Sequence, residues 1–207
     1  MRYNGGDNML QAGRSGPGVT KETPNVSKQT ALIIVDVQVA LFKVPGRPTY
    51  HEEELLANIA HLLKQARASG TPVIYIQHQE EAPSSLVPGT RGWRIHPSIT
   101  PLEGETIIPK RSPDAFLATT LDEELQARQI THLVITGCRT DFCIDTTCRA
   151  AISHGYDVTL VGDAHSTIDR VVLNAEQIVA HHNATLNGFG SPEHTITVKP
   201  TSEVALA

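Results

Sequence analysis

The sequence predicts an α/β protein: a three-layer α/β/α sandwich, with helices on both faces of a doubly wound, six-stranded parallel sheet. Three observations carry this. Short runs of Val, Ile and Leu recur along the chain and are apolar at consecutive positions, as strands buried on both faces are. Segments with helical periodicity fall between those runs, and alternation of strand with helix gives parallel order and layering. Glycine follows several of the helical segments, at Gly70, Gly155 and Gly188, where a left-handed residue commonly ends a helix.

The elements follow in order. Residues 1–28 are rich in Gly, Ser, Asn, Thr and Pro and poor in apolar side chains, so they read as a disordered arm. Residues 29–207 are expected to form a single domain. The first strand is predicted over residues 31–37. A helix is predicted over Glu52–Ser69, because Leu55, Leu56, Ile59, Leu62, Leu63 and Ala66 repeat at three and four residues and make one apolar stripe. The second strand spans 72–77. A long loop, 78–104, holds four prolines and the single tryptophan, and loops of that length in a domain are usually functional. Further strands are predicted at 106–108, 132–136, 157–161 and 194–198. Helices are predicted at 121–129, 142–154 and 172–187, with Asp163 capping a turn.

Composition excludes several classes. The 207 residues are 40% hydrophobic but only 4% aromatic, so the core is expected to be aliphatic. A net charge of −5 offers no basic face for nucleic acid and no polybasic signal for an anionic membrane. No apolar run approaches a membrane span, and the start of the chain lacks the apolar core of a signal peptide, so a cytoplasmic protein is expected. The three cysteines, at 138, 143 and 148, lack the close pairing of structural zinc ligands and are too few for a disulfide framework. Neither a metal nor a cofactor is expected. The turn after the first strand has no G-x-G-x-x-G, which disfavours a dinucleotide-binding enzyme.

The chemistry centres on Cys143. The run Val134-Ile135-Thr136-Gly137-Cys138-Arg139-Thr140-Asp141-Phe142-Cys143-Ile144-Asp145 reads as a buried strand, a glycine turn and the first turn of a helix. A thiol at a helix start faces unpaired N–H groups and the positive end of the helix dipole, and both favour the nucleophilic thiolate. Asp36 follows one strand and Lys110 another. In a parallel sheet all three emerge at the carboxyl edge, where open α/β sheets bind ligands.

This pattern resembles the isochorismatase-like cysteine hydrolases, which include nicotinamidases and N-carbamoylsarcosine amidases. The resemblance spans residues 29–198. It rests on Ala31-Leu32-Ile33-Ile34-Val35-Asp36-Val37-Gln38, on Lys110, and above all on the run from Gly137 to Cys143. The resemblance implies that Asp36, Lys110 and Cys143 form a catalytic triad. It also implies a cis Cys138–Arg139 bond and an oxyanion hole made by the backbone N–H groups of Arg139 and Cys143. It further implies cleavage of a small amide or carbamoyl compound through a thioester, in a homodimer or homotetramer. Two departures matter. The Asp-x-His metal site of nicotinamidases is absent, with His51-Glu52-Glu53 in that stretch, and His78 lacks partner ligands, so nicotinamide is disfavoured as substrate. Isochorismatases proper lack the nucleophilic cysteine that Cys143 supplies here.

Residues flanking the expected crevice are candidates for substrate contact: Gln38, Phe42, Trp93 and Cys138, with Tyr75 and His78 nearby. Phe42 and Trp93 read equally as core or oligomer contacts, and Cys138 reads also as structural. Cys148 reads as core, Asp141 as the cap of the Cys143 helix, and Asp145 as a solvated or ion-paired residue. His181 and His182 are adjacent on a helix and do not face each other, which suits packing rather than metal binding. The alternatives to an enzyme are a non-catalytic binding protein on the same fold and a thiol redox protein pairing Cys138 with Cys143.

Overall fold

Apolar residues at consecutive positions make strands that are covered on both sides, and six of them join in one all-parallel sheet. These are β1 (Thr30–Val35), β2 (Val73–His78), β3 (Thr106–Lys110), β4 (His132–Cys138), β5 (Asp157–Ser166) and β6 (Ile196–Lys199). The strand order is β3-β2-β1-β4-β5-β6, so the winding reverses between β1 and β4. This computed structural model describes residues 29–206; the arm expected at residues 1–28 lies outside the described residues.

Alternate residues of β1 feed two separate cores. Leu32 and Ile34 meet α1 (Glu52–Ser69) on one face, through its buried Leu55, Ile59, Leu62 and Leu63. Each of those side chains contributes about 1.5–3 kcal/mol on burial. Ala31, Ile33 and Val35 meet the other face, where α2 (Leu121–Ala127) supplies Leu121 and Leu125 and α3 (Asp145–Ser153) supplies Cys148, Ala151 and Ile152. The result is the doubly wound three-layer sandwich that the alternation of elements predicts. No helix among the described residues is long and apolar enough to cross a membrane.

Several boundaries differ from the expected ones, each for a local reason. Strand β1 stops at Val35 because Asp36 takes a left-handed backbone, φ 51°. Strand β3 continues through Pro109 to Lys110; it is an edge strand, and an edge tolerates proline. Strand β5 runs on to Ser166 after a register shift opposite Ile135 and Gly137. Asp163 therefore lies inside β5 rather than capping a turn, and its Oδ1 accepts from the backbone and hydroxyl of Thr201 at 2.8 and 2.7 Å. Helix α4 (Ala175–Leu186) starts three residues later than expected. Asn174 and Gln177 form a reciprocal capping box there, which leaves Val171, Val172 and Leu173 outside the helix and exposed.

Candidate active site

The site lies at the reversal of strand order, where a crevice opens at the carboxyl edge of such sheets. Val35 sits opposite both Ile76 of β2 and Gly137 of β4, so Asp36 leaves the sheet between them. Its N–H still donates to the Ile76 carbonyl at 2.9 Å. Lys110 ends β3, opposite His78. Both side chains are buried, and Lys110 Nζ stands 2.8 Å from Asp36 Oδ2.

Lysine has three N–H donors, and three acceptors lie within 3.0 Å of this one, with the Pro113 carbonyl a fourth at 3.4 Å. Besides Asp36, Nζ donates to the Ser112 carbonyl at 2.8 Å and to Cys143 Sγ at 3.0 Å. Asp36 Oδ1 is buried without a hydrogen-bond partner among the described residues. The structure thus brings Asp36, Lys110 and Cys143 together.

Cys143 reaches this point by a route the sequence does not announce. Gly137 is not a turn but part of β4, with φ 122°, and a Cβ there would lie 2.1 Å from the Val35 carbonyl oxygen. The Cys138–Arg139 peptide bond is cis. Residues Thr140–Ile144 then form a π turn that precedes α3. The Arg139 carbonyl accepts from the N–H groups of Phe142 and Ile144, both at 3.1 Å. Cys143 therefore sits in a π turn, not in the first turn of an α-helix.

The resting thiol differs from the expected thiolate. Burial, then the charge of Asp36, pushes Cys143 up to about 12, against the opposing pull of Lys110. Desolvation disfavours the anion, and a neighbouring carboxylate adds to that penalty. Both effects favour the protonated thiol, and the Asp36 carboxylate stands beside it as an acceptor for the proton.

His165 braces the π turn from β5. It is fully buried, which pushes its pKa down to about 4 and keeps it neutral. Asn183 of α4 is oriented by its Nδ2 donating to the Gly162 carbonyl at 3.0 Å. Its Oδ1 takes the His165 Nε2 proton at 2.8 Å, leaving Nδ1 to accept from the Thr140 hydroxyl at 2.9 Å. Asp141 does not cap the Cys143 helix. Its carboxylate accepts from Thr167 at 2.5 Å and from Arg170 Nε at 2.8 Å. Burial opposes ionisation of Asp141, but those hydrogen bonds prevail and hold it below the usual carboxylate range.

A cleft of about 360 Å³ opens onto Asp36 and Cys143, and Leu41, His78, Arg139 and Phe142 help to line it. That volume suits a small molecule. None of the four expected substrate contacts lies on its wall. Gln38 is wholly buried and works as a clamp: its Nε2 donates to the carbonyls of His78 and Trp93, and its Oε1 accepts from the His78 N–H. Phe42 packs against the α1 face and faces His96 at 5.1 Å between ring centroids. The Trp93 carbonyl is the acceptor for Gln38 and Gln77. Cys138 is sealed in the α1-side core.

Cys148 is core, as the sequence suggests, and Asp145 pairs with Arg149 at 3.0 Å. Leu41, Arg139 and Phe142 as wall residues were not foreseen. Phe142 is half-exposed beneath the Arg170 guanidinium, 4.7 Å from its ring centroid. His51 pairs with Glu54 at 2.7 Å. Among the described residues no group of three or more His, Cys, Asp or Glu side chains is placed to hold a metal.

The Isochorismatase domain family matches residues 30–186. The chain belongs to the isochorismatase family. Within this family, the uncharacterized protein YddQ of Bacillus subtilis (strain 168) is 36% identical over 165 residues, covering 77% of this chain and 92% of its own. Streptothricin hydrolase of Streptomyces noursei is 33% identical over 139 residues, covering 67% of this chain and 55% of its own. The crystal structure of an isochorismatase from Pseudomonas putida KT2440 matches with a TM-score of 0.77 at 33% identity, covering 85% of this chain and 90% of the other. The class these family members support is a hydrolase.

Proposed function

We propose that this isochorismatase-family protein is a cysteine hydrolase that cleaves the C–N bond of a small amide or carbamoyl compound through a thioester. The observation that carries the reading is one buried ammonium, Lys110 Nζ, placed 2.8 Å from Asp36 and 3.0 Å from Cys143, two residues that line an open cleft.

Because the thiol is protonated at rest, the nucleophile forms at the moment of attack. Asp36 accepts the thiol proton as Sγ bonds to the substrate carbonyl carbon. The tetrahedral oxyanion is met by the backbone N–H groups of Arg139 and Cys143, preorganised donors of the kind whose loss costs about 100- to 1,000-fold in rate. Asp36 then returns the proton to the departing nitrogen as the C–N bond breaks, and ammonia or an amine leaves. Water, deprotonated by the same carboxylate, attacks the thioester and restores the thiol. Lys110 holds Asp36 in position and supplies positive charge beside the sulfur as it becomes anionic.

The test is a screen for ammonia release over small amides, run beside Cys143→Ala. Loss of turnover by about 1,000-fold or more is expected for removal of a nucleophile. Mass spectrometry of the wild-type protein is expected to find an acyl adduct on Cys143. Turnover unchanged in Cys143→Ala refutes the mechanism.

A further inference from the structure

Of the described histidines only His165 is buried, at 3% exposure, and the proposed chemistry gives its ring no step. Register places it on β5 opposite Gly137 of β4, beyond the shift in pairing. From there the ring reaches the hydroxyl of Thr140, the wholly buried first residue of the π turn. A second tie follows at the next residue, where Thr167 and Arg170 hold the Asp141 carboxylate. The end of β5 and the chain just after it grip the turn at successive residues between Arg139 and Cys143.

Filling space does not call for these side chains. An apolar ring at 165 and a valine at 140 would occupy similar volume and leave no polar group to satisfy. What the polar chain adds is direction. The Gly162 carbonyl fixes which end of Asn183 accepts, and Asn183 fixes which ring nitrogen of His165 carries the proton. The bare nitrogen then fixes where the Thr140 hydroxyl points. These links join β5, α4 and the π turn, and a single arrangement satisfies all of them. A charge on the ring would undo the last link, because imidazolium only donates. Burial, with His182 beside it, keeps that charge off against the pull of Asn183 and Asp163.

The turn so held carries the sulfur. Cys143 Sγ keeps its 3.0 Å contact with Lys110 Nζ only while Thr140–Ile144 stays in place. A displacement of about 1 Å at a reacting group is enough to cost about 100-fold in rate.

We propose that His165 is a positioning residue: acting through Thr140, it fixes the π turn and so holds the Cys143 sulfur against Lys110, touching no reacting atom itself. This rests on the cysteine-hydrolase reading of the site and deepens it.

The experiment compares the full chain with three variants. His165→Phe keeps a ring but neither nitrogen, Thr140→Val removes the other end of the same bond, and the third carries both changes. Stability is read in urea, and kcat and KM on an amide that the wild-type protein hydrolyses. Iodoacetamide alkylation of Cys143 is read by peptide mass spectrometry between about pH 7 and 10, a span around the free-thiol value, with each rate divided by that for glutathione. Both single variants are expected to lower kcat by about 10- to 100-fold with KM changed by less than about twofold. Their alkylation profiles are expected to move down by about one pH unit or more, because a sulfur released from burial and from Asp36 returns toward the ordinary thiol value. Thr140→Ser, which keeps the hydroxyl, is expected to recover most of what Thr140→Val loses.

The double variant separates position from packing. It leaves no Thr140 hydroxyl unpaired, so it is expected to regain part of the stability that His165→Phe loses, while kcat and the profile stay as in the single variants. A double variant whose kcat and profile return with its stability overturns the proposal. So do single variants that lose stability but keep the wild-type kcat and profile. If His165→Phe does not fold, Thr140→Val and Thr140→Ser decide, and equal kcat and equal profiles in those two overturn the proposal. Shifted profiles with no ammonia release from any amide overturn the hydrolase reading and support the positioning role. Ammonia release with a kcat that neither single variant moves overturns the positioning role alone.

Discussion

Replacing Lys110 by methionine removes a buried cation and leaves its partner in place. The two charged groups are 0% and 2% exposed and stand 2.8 Å apart. At an effective dielectric of about 20 their attraction is about 6 kcal/mol, and desolvation of both groups offsets most of it. The intact pair is therefore worth little, but half of it is expensive. Lys110→Met is expected to destabilise the protein by about 3–5 kcal/mol, the usual cost of stranding one member of a buried pair. Asp36→Asn strands the ammonium instead, though Nζ keeps its bond to the Ser112 carbonyl, and falls in the lower part of that range. The double variant carries neither charge and is expected to cost less than Lys110→Met alone. Asparagine tolerates the left-handed backbone at position 36, so the comparison is not confounded by strain. Urea denaturation followed by circular dichroism measures all four proteins, and unchanged m-values license the comparison. Costs that simply add in the double variant would show that the two groups do not interact, and the reasoning about the site would fail with them.

Three further outcomes follow from the same geometry. Asp36→Asn removes a charge that raises the Cys143 pKa and leaves Lys110 beside the sulfur, so alkylation of Cys143 at neutral pH is expected to quicken while hydrolysis collapses; slower alkylation contradicts the assignment. Cys138 and Cys143 are both pushed up to about 12, chiefly by burial. Between about 8.5, the value for a free thiol, and about 12 the unfolded chain has lost protons that the folded one keeps, so stability is expected to fall as pH rises through that window. The slope is up to about 1.4 kcal/mol per pH unit for each thiol, and urea melts at stepped alkaline pH read it. Gly137→Ala forces a Cβ to 2.1 Å from a backbone oxygen at a left-handed φ of 122°; strain and overpacking together predict a loss of roughly 3–5 kcal/mol, read as a fall in melting temperature.

The sheet was legible because parallel strands buried on both faces leave unbroken apolar runs, as in Ala31-Leu32-Ile33-Ile34-Val35. Helix α1 was legible to its ends, since its stripe and Gly70 mark both the face and the stop. Where polar residues do structural work, the pattern fails. Ala164, His165 and Ser166 continue β5, yet His165 and Ser166 look like loop residues until their partners Thr140, Asn183 and the Tyr50 carbonyl are known. The start of α4 could have been found from the Asn174…Gln177 spacing, which competes with the apolar Val171-Val172-Leu173 just before it. Asp36, Lys110 and Cys143 were legible because strand ends and chemistry coincide. The cleft wall was not. Gln38 sits next to the site in sequence but turns inward, satisfied by three backbone groups, and Arg139 sits in the most specific motif with a side chain whose direction no spacing reveals.

Two left-handed residues at neighbouring strand ends explain why the chain spends these particular residues where it does. Gly137 lies opposite Val35, and any side chain at 137 would collide with the Val35 backbone. Glycine is therefore a requirement of the close approach of β4 to β1 at the point where the strand order reverses. Asp36 comes immediately after Val35 and is also left-handed, but the conformation alone would be served as well by glycine or asparagine. Neither would give Lys110 a counter-charge, and a bare ammonium at 0% exposure would be costly. Neither would give the Cys143 thiol an anionic proton acceptor, which a sulfur pushed up to about 12 requires if it is to attack at neutral pH. The carboxylate at position 36 thus meets two demands at once, a backbone turn out of the sheet and a partner for a buried cation, and in the proposed mechanism it meets a third as the base for a protonated nucleophile.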